Sequence, residues 1–166
     1  MDFMIVQLIG AIGYAIFSVS YFKKQKKDIL FLQIISYIMF TTHFYLLSGV
    51  TGALCNLCGL LSLLTIYLND KYKIQKKSVL ETLLVLMILV VNIITFQNIY
   101  SIFPIIASII AVLSFITDSE ELIRKVGFIA TLCWLVYAIA YKSYVSIIFQ
   151  TITLASVTIA YIKNKK

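Results

Sequence analysis

The chain has 166 residues, of which 61% are hydrophobic, 14% aromatic and 13% charged. This composition is too apolar for a soluble domain of that length and predicts an all-α membrane protein. The net charge of +7 then indicates membrane topology, so we expect a lipid bilayer and no nucleic acid among the partners.

Seven apolar stretches follow one another along the chain. We predict transmembrane helices over residues 3–22, 29–48, 50–68, 78–97, 101–117, 125–141 and 143–162. Each stretch is close to the ~20 residues that cross a bilayer. Stretches two and three are divided at a tight turn, as are six and seven, because an undivided helix would be about twice the hydrocarbon thickness. Little chain is left over, which predicts a single membrane domain with short loops.

The positions of the cations predict the orientation. Of the fourteen Lys and Arg residues, thirteen lie in alternate gaps, over residues 23–28, 69–77, 118–125 and 163–166. The other gaps contain only Lys142. Because cytoplasmic loops retain Lys and Arg, we predict an amino terminus outside and a carboxyl terminus inside. Cations follow the first stretch and do not precede it, unlike in a signal peptide, so we expect it to be retained.

The two halves of the chain have the same pattern of gaps and turns when one is displaced by 94 residues. This pattern predicts a first three-helix repeat over residues 1–70, a linker loop and linker helix over 71–100, and a second three-helix repeat over 101–166. A single crossing helix between them makes both repeats enter the membrane in the same direction. Transporters use such parallel repeats.

Small and polar residues line one face of the third and seventh stretches at corresponding positions. They are Gly52, Asn56 and Gly59 in the third, and Ser146, Gln150 and Thr153 in the seventh. We predict that Asn56 and Gln150 face each other across a central pseudo-symmetric cavity. A carboxamide both donates and accepts, which suits a neutral polar ligand. The alternative is that these residues only bond neighbouring helices.

Aromatic residues supply further candidates for the cavity. Phe40 and Trp134 correspond to each other at mid-membrane depth and could stack on a ligand or simply pack in the bundle. Tyr14 is predicted to line the same cavity. Nearer the outside, His43 and Tyr137 also correspond and are predicted to gate the external mouth, with a purely structural hydrogen bond as the alternative for His43.

Two residues that loosen helices occupy corresponding positions in the first helix of each half. These are Gly10 and Pro104, which we predict to be hinges.

Three cysteines raise the hypothesis of redox or metal chemistry. Cys55 and Cys58 form a C-x-x-C pair, and Cys133 lies further along the chain. All three lie within apolar stretches, and no relay pair is present in a predicted external loop, so we expect small apolar fillers and neither a metal nor a cofactor. No phosphate loop, H-E-x-x-H or intramembrane carboxylate pair is present, and no enzymatic activity is expected.

Several short motifs resemble the YgjV family of bacterial inner-membrane proteins. They are the segment 10–17, the run 43–49 followed by 53–56, and the pair Cys133 and Trp134. The resemblance covers nearly the whole chain and implies a multi-pass protein of the bacterial inner membrane, without an established activity.

The predicted layout, with three helices, one linker helix and three further helices, is similar to that of the SWEET, PQ-loop and PnuC-like carriers of sugars, amino acids or vitamin nucleosides. By that resemblance Asn56 and Gln150 are the positions that touch substrate. Those carriers have a proline in several helices, whereas Pro104 is the only proline here.

The sequence therefore predicts facilitative transport of a small neutral polar solute, such as a sugar, a nucleoside or a vitamin-like molecule. The middles of the apolar stretches contain no Asp, Glu, Lys or Arg, which argues against ion coupling and against a charged substrate. A non-transporting membrane subunit or assembly factor is the main alternative, and a membrane thiol-redox protein is a remote one. The sequence is compatible with a homo-oligomer.

Overall fold

Seven α-helices make up the computed structural model, which describes residues 2–20, 26–72, 77–116 and 120–164. The helices are α1 (Phe3–Ser20), α2 (Lys26–Leu46), α3 (Val50–Tyr72), α4 (Lys77–Ile94), α5 (Ile102–Ile116), α6 (Glu120–Ala140) and α7 (Tyr144–Asn164). None of the described residues lies in a β-strand. The prediction of an all-α chain with seven helices is confirmed.

The turns that separate α2 from α3 and α6 from α7 have the same local geometry. Ser48 and Lys142, which are 94 positions apart, both have a left-handed backbone, with φ of 62° and 53°. Gly49 and Ser143 each donate their N–H to a carbonyl five residues earlier, at 2.8 and 2.9 Å. A left-handed residue that redirects the chain in this way is a common helix ending. The predicted turn positions are therefore confirmed.

The connection between α4 and α5 contains a short 3-10 helix, Ile99–Ser101. Asn98 caps it, because its side chain accepts a hydrogen bond from the N–H of Tyr100. The fifth predicted stretch thus begins in a tighter helix than the one that follows it.

Neighbouring helices form a ring in the order α1, α2, α3, α5, α6, α7 and back to α1. The helix α4 packs against α3 and α5. The middle helix of each half, α2 or α6, lies between the other two helices of that half. The halves meet at two boundaries, where α3 contacts α5 and where α1 contacts α7.

One end of the bundle gathers the start of α1, the α2–α3 turn, the α4–α5 connection and the α6–α7 turn, and we call it the turn end. Gln7 of α1 donates to the carbonyl of Lys142, and the N–H of Val50 donates to the side chain of Gln97. The side chain of Asn98 donates to the hydroxyl of Tyr141. The turn end therefore contains the connections that the sequence predicts to lie outside.

By length and composition, one helix of the described ranges, α1 with its 18 residues, could cross a membrane alone. Apolar stretches of 10–17 residues occur in other helices, at Leu30–Leu46, Val50–Thr65, Ile99–Ile110, Phe128–Ala140 and Tyr144–Ala155. Many large apolar side chains are exposed, including Leu83, Leu86, Val90 and Ile93 of α4. Seven membrane crossings and their orientation stay predictions.

Candidate functional site

His43 is fully buried at the turn end and connects three elements. Its Nδ1 lies 2.8 Å from the carbonyl oxygen of Val6 in α1, and its Nε2 lies 2.6 Å from the hydroxyl of Ser143 in the α6–α7 turn. Because a carbonyl oxygen only accepts, Nδ1 carries the proton and donates, and in the neutral ring Nε2 accepts from Ser143. His43 therefore holds α2 against α1 and the α6–α7 turn.

Tyr137 occupies the corresponding position of α6 and is also fully buried. Its hydroxyl accepts a hydrogen bond of 2.8 Å from the N–H of Gly52, just after the α2–α3 turn. Its ring packs against Phe44 and Trp134. The two predicted gate residues thus lie at the turn end, each against the turn of the other half, while the gating role itself stays a prediction.

Four predicted site residues lie together where α1, α2 and α7 meet. The ring of Tyr14 stacks on Phe149 with centroids 4.6 Å apart and contacts Phe40 at 4.5 Å. The hydroxyl of Tyr14 accepts a hydrogen bond of 3.2 Å from the side chain of Gln150, and the hydroxyl of Ser146 lies close to it. Phe149 was not among the predicted residues.

A run of polar side chains continues from this cluster to His43. The hydroxyls of Ser146 and Ser143 bond to each other, and Ser143 bonds to His43. Ser146 is 1% exposed and Ser143 is fully buried. The run therefore leads from Gln150 through Tyr14, Ser146 and Ser143 to the predicted gate.

Asn56 in α3 has different surroundings from those of Gln150. It is 5% exposed, and its Nδ2 donates to the carbonyl of Gly52 in the same helix at 2.9 Å. Within the described ranges, neither the Oδ1 of Asn56 nor the Oε1 of Gln150 accepts a hydrogen bond from a protein group. The structure thus gives the two carboxamides different partners, and neither carbonyl oxygen has a hydrogen-bond donor among the described residues.

The polar face of α7 becomes more accessible with distance from the turn end. Ser146 is buried, Gln150 is half-buried and Thr153 is exposed. The hydroxyl of Thr153 donates to the carbonyl of Phe149 within α7. This face is therefore closed at the turn end and open towards the other end.

The predicted aromatic pair belongs to two separate groups of rings. Phe40 contacts Tyr14, Phe17 and Tyr37, whereas the half-buried Trp134 contacts Phe44 and Tyr137. The sequence placed these residues at equal depth but could not predict which rings they contact.

The predicted hinge residues have clear packing roles. A Cβ atom at Gly10 would lie 2.8 Å from the ring of His43, so this glycine lets α1 and α2 approach closely. Pro104 is buried in the first turn of α5, where an N–H has no partner within the helix and a proline is well tolerated. Bending at either residue stays a prediction.

All three cysteines are buried, and none of them forms a disulfide. Cys58 packs against Ile88 of α4. The described ranges contain no group of three or more His, Cys, Asp or Glu that could hold a metal ion.

An open apolar groove of about 300 Å³ lies between α4 and α5 and is lined by Leu89, Ile93, Phe96 and Ile105. None of the predicted site residues lines it. This groove is therefore separate from the cluster around Tyr14.

Gln7 is a polar contact that sequence reasoning missed. Its Nε2 donates to the carbonyl of Lys142 and its Oε1 accepts from the N–H of Val145. At positions 94 residues away from Gln7 and Val145, Ser101 and Thr51 bond to each other through their hydroxyls. The sequence could have indicated this contact, since Gln7 is the one carboxamide in the apolar run of α1.

The apolar helices and the many exposed apolar side chains are consistent with a helical membrane protein. A family model described as a bacterial inner membrane protein, Imp-YgjV, matches residues 4–166, and the chain belongs to that family. The predicted family and the predicted inner-membrane location are confirmed. No curated protein and no solved structure matches the chain.

Proposed function

We propose that this inner-membrane protein is a facilitative transporter of a small neutral polar solute, such as a sugar, a nucleoside or a vitamin-like molecule. In this proposal all seven helices cross the membrane with the turn end outside. The helices α1 to α3 and α5 to α7 are two parallel repeats joined by α4. The alternating cations and the two equivalent turns 94 residues apart support this arrangement.

The observation that carries the proposal is a pair of carboxamides at corresponding positions of α3 and α7, whose carbonyl oxygens have no hydrogen-bond donor among the described residues. Asn56 is 5% exposed, and leaving a buried acceptor unpaired costs about 1–3 kcal/mol. A solute whose hydroxyl or amino groups donate to Asn56 and Gln150 would remove that cost. Such a solute matches the donor and acceptor capacity of these side chains.

The remaining proposed site residues supply apolar surface and further polar contacts. Tyr14, Phe40 and Trp134 would contact rings or apolar faces of the solute. Ser146 and Thr153 lie on the same face of α7 as Gln150. Access from the end opposite the turns is supported by the increasing exposure along this face.

The proposed mechanism is downhill movement, with no catalysis and no cofactor. His43 is the one histidine of the chain, and both of its ring nitrogens are hydrogen-bonded. No carboxylate lies in the middle of an apolar stretch to relay a proton. His43 and Tyr137 would instead close the outer mouth.

A non-transporting membrane subunit is the second candidate. The bond between Gln150 and Tyr14 favours it, because that bond fastens α7 to α1 without a ligand. The two candidate functions predict different effects on flux and on thermal stability when the carboxamides are replaced.

The test is flux in proteoliposomes loaded with glucose, uridine or riboflavin as representative solutes. We expect one of them to equilibrate faster than in protein-free vesicles. Asn56→Leu and Gln150→Leu should each abolish that flux with little change in thermal stability. Asn56 loses only a bond within its own helix, and the interhelical bond that Gln150 loses averages only about 0.6 kcal/mol in a membrane.

Thr42→Val is the matched control. Thr42 is exposed, and its hydroxyl bonds only to the carbonyl of Ile38 in its own helix, so its loss should leave flux unchanged. Carboxamide variants that lose thermal stability in step with flux would support the structural role. If none of the three solutes moves, the non-transporting candidate is favoured.

A further inference from the structure

The two boundaries between the halves of the bundle are held together in different ways. We call them the α1–α7 seam and the α3–α5 seam, after the helices that meet there. The helix α4 packs against both α3 and α5 and is connected in the chain to each. At the α1–α7 seam, none of the described helices is joined in the chain to both sides, and α2, which packs against α1, reaches the α6–α7 turn through the side chain of His43.

The α3–α5 seam also has a short network at the turn end. The hydroxyl of Thr51 lies 2.6 Å from the carbonyl of Thr95 and 3.0 Å from the hydroxyl of Ser101. The three residues come from α3, from the end of α4 and from the 3-10 helix before α5. Loss of one hydroxyl would still leave this seam bridged by α4.

At the turn end, Gln7 bonds directly from α1 to the α6–α7 turn and to α7, beside the bridge that His43 makes from Val6 to Ser143 and the ring contact of Phe3 with Tyr144. The carboxamide of Gln7 donates to the carbonyl of Lys142 at 3.2 Å and accepts from the N–H of Val145 at 3.3 Å. The N–H of Val145 is in the first turn of α7, where no acceptor exists within the helix. Ser143, the residue after Lys142, begins the run of polar side chains that leads through Ser146 towards Tyr14 and Gln150.

We propose that the α1–α7 seam is the moving gate at the turn end and that Gln7, together with the bridge made by His43, keeps it closed. Groups at the edge of the membrane exchange protein hydrogen bonds for water readily, so releasing Gln7 is a small step. Separation of α1 from the α6–α7 turn would uncover Ser146 and then Gln150. The motion is independent of which solute passes, although its purpose rests on the proposed function.

Thiol labelling from the turn side tests this gate without a known solute. In a background with all three cysteines replaced by alanine, Ser146→Cys places a thiol at a position that is 1% exposed. An impermeant maleimide should react slowly with it. Gln7→Leu should accelerate the reaction about tenfold or more, because the reaction rate follows the population of the open state.

Ser101→Ala is the matched control, since Ser101 lies 94 positions from Gln7 on the other seam. It should change the labelling rate by less than about twofold. Gln7→Glu is a second variant in case Gln7→Leu does not fold, because a carboxylate still accepts from Val145 but cannot donate to Lys142. It should accelerate labelling in the same direction.

Unchanged labelling in the folded Gln7 variants, or equal acceleration by Ser101→Ala, would overturn the proposal. If the Gln7 substitutions accelerate labelling but the protein moves no solute, the gate is supported and the transport function is contradicted. If the protein moves a solute but the Gln7 substitutions do not change the labelling rate, transport is supported and the gate is contradicted.

Discussion

Glycines lie where large rings come closest to a helix backbone in this protein. A Cβ atom at Gly52 would be 2.2 Å from a ring carbon of Tyr137, and one at Gly59 would be 2.4 Å from a ring carbon of Tyr37. Since membrane helices gain much of their stability from close packing, these contacts help to hold α3 against α2 and α6. The position corresponding to Gly52 in α7 is Ser146, which packs near the smaller His43 network.

Gly52→Ala should therefore destabilise the bundle. Overpacking of a tight contact costs about 1–3 kcal/mol, and thermal unfolding in detergent would report the loss as a lower melting temperature. The same substitution made in a Tyr137→Ala background should cost much less, because the ring that clashes has been removed. Equal costs in the two backgrounds would show that Tyr137 does not fill the space beside Gly52.

At the scale of elements, helix order and turn positions could be predicted from the sequence. Cations and tight turns interrupt the apolar runs, and a helix of about 40 apolar residues cannot fit one crossing. The helices α2 and α6 end at Leu46 and Ala140, within two residues of the predicted ends. The displacement of 94 residues predicted that the turns at Ser48 and Lys142 would match.

The partners of individual side chains could not be predicted in the same way. Asn56 and Gln150 occupy corresponding positions, yet one bonds to its own helix and the other to Tyr14. Small rotations of neighbouring helices decide such contacts, and periodicity along one helix carries no information about its neighbour's rotation. For the same reason, Gln7 and its two bonds to the α6–α7 turn were missed.

At the scale of the whole molecule, the connections at the turn end are joined to one another by hydrogen bonds. Side chains from α1, the α2–α3 turn, the α4–α5 connection and the α6–α7 turn bond to one another there. Lys142 is the one cation among these connections, whereas the other gaps contain thirteen Lys and Arg residues. Because cytoplasmic loops retain cations, this charge difference predicts that the turn end lies outside.

Cysteine labelling of intact cells tests that orientation. Single cysteines at Ser48 and Asn98, both exposed at the turn end, should react with an impermeant reagent added outside. Cysteines at Gln25 and Lys73, which lie outside the described residues, should react only after the membrane is made permeable. Outside labelling at Gln25 would reverse the orientation.

The central claim is that the bundle moves a neutral solute downhill, and the final solute level in proteoliposomes tests it most directly. With a proton gradient imposed, the concentration inside should rise only to the concentration outside. A protonophore should leave that level unchanged, because His43 has no carboxylate partner and both of its ring nitrogens are already hydrogen-bonded. His43→Gln should likewise reach the same level. Accumulation above equality that is lost with the protonophore or in His43→Gln would contradict the account and identify His43 as a proton-coupling residue.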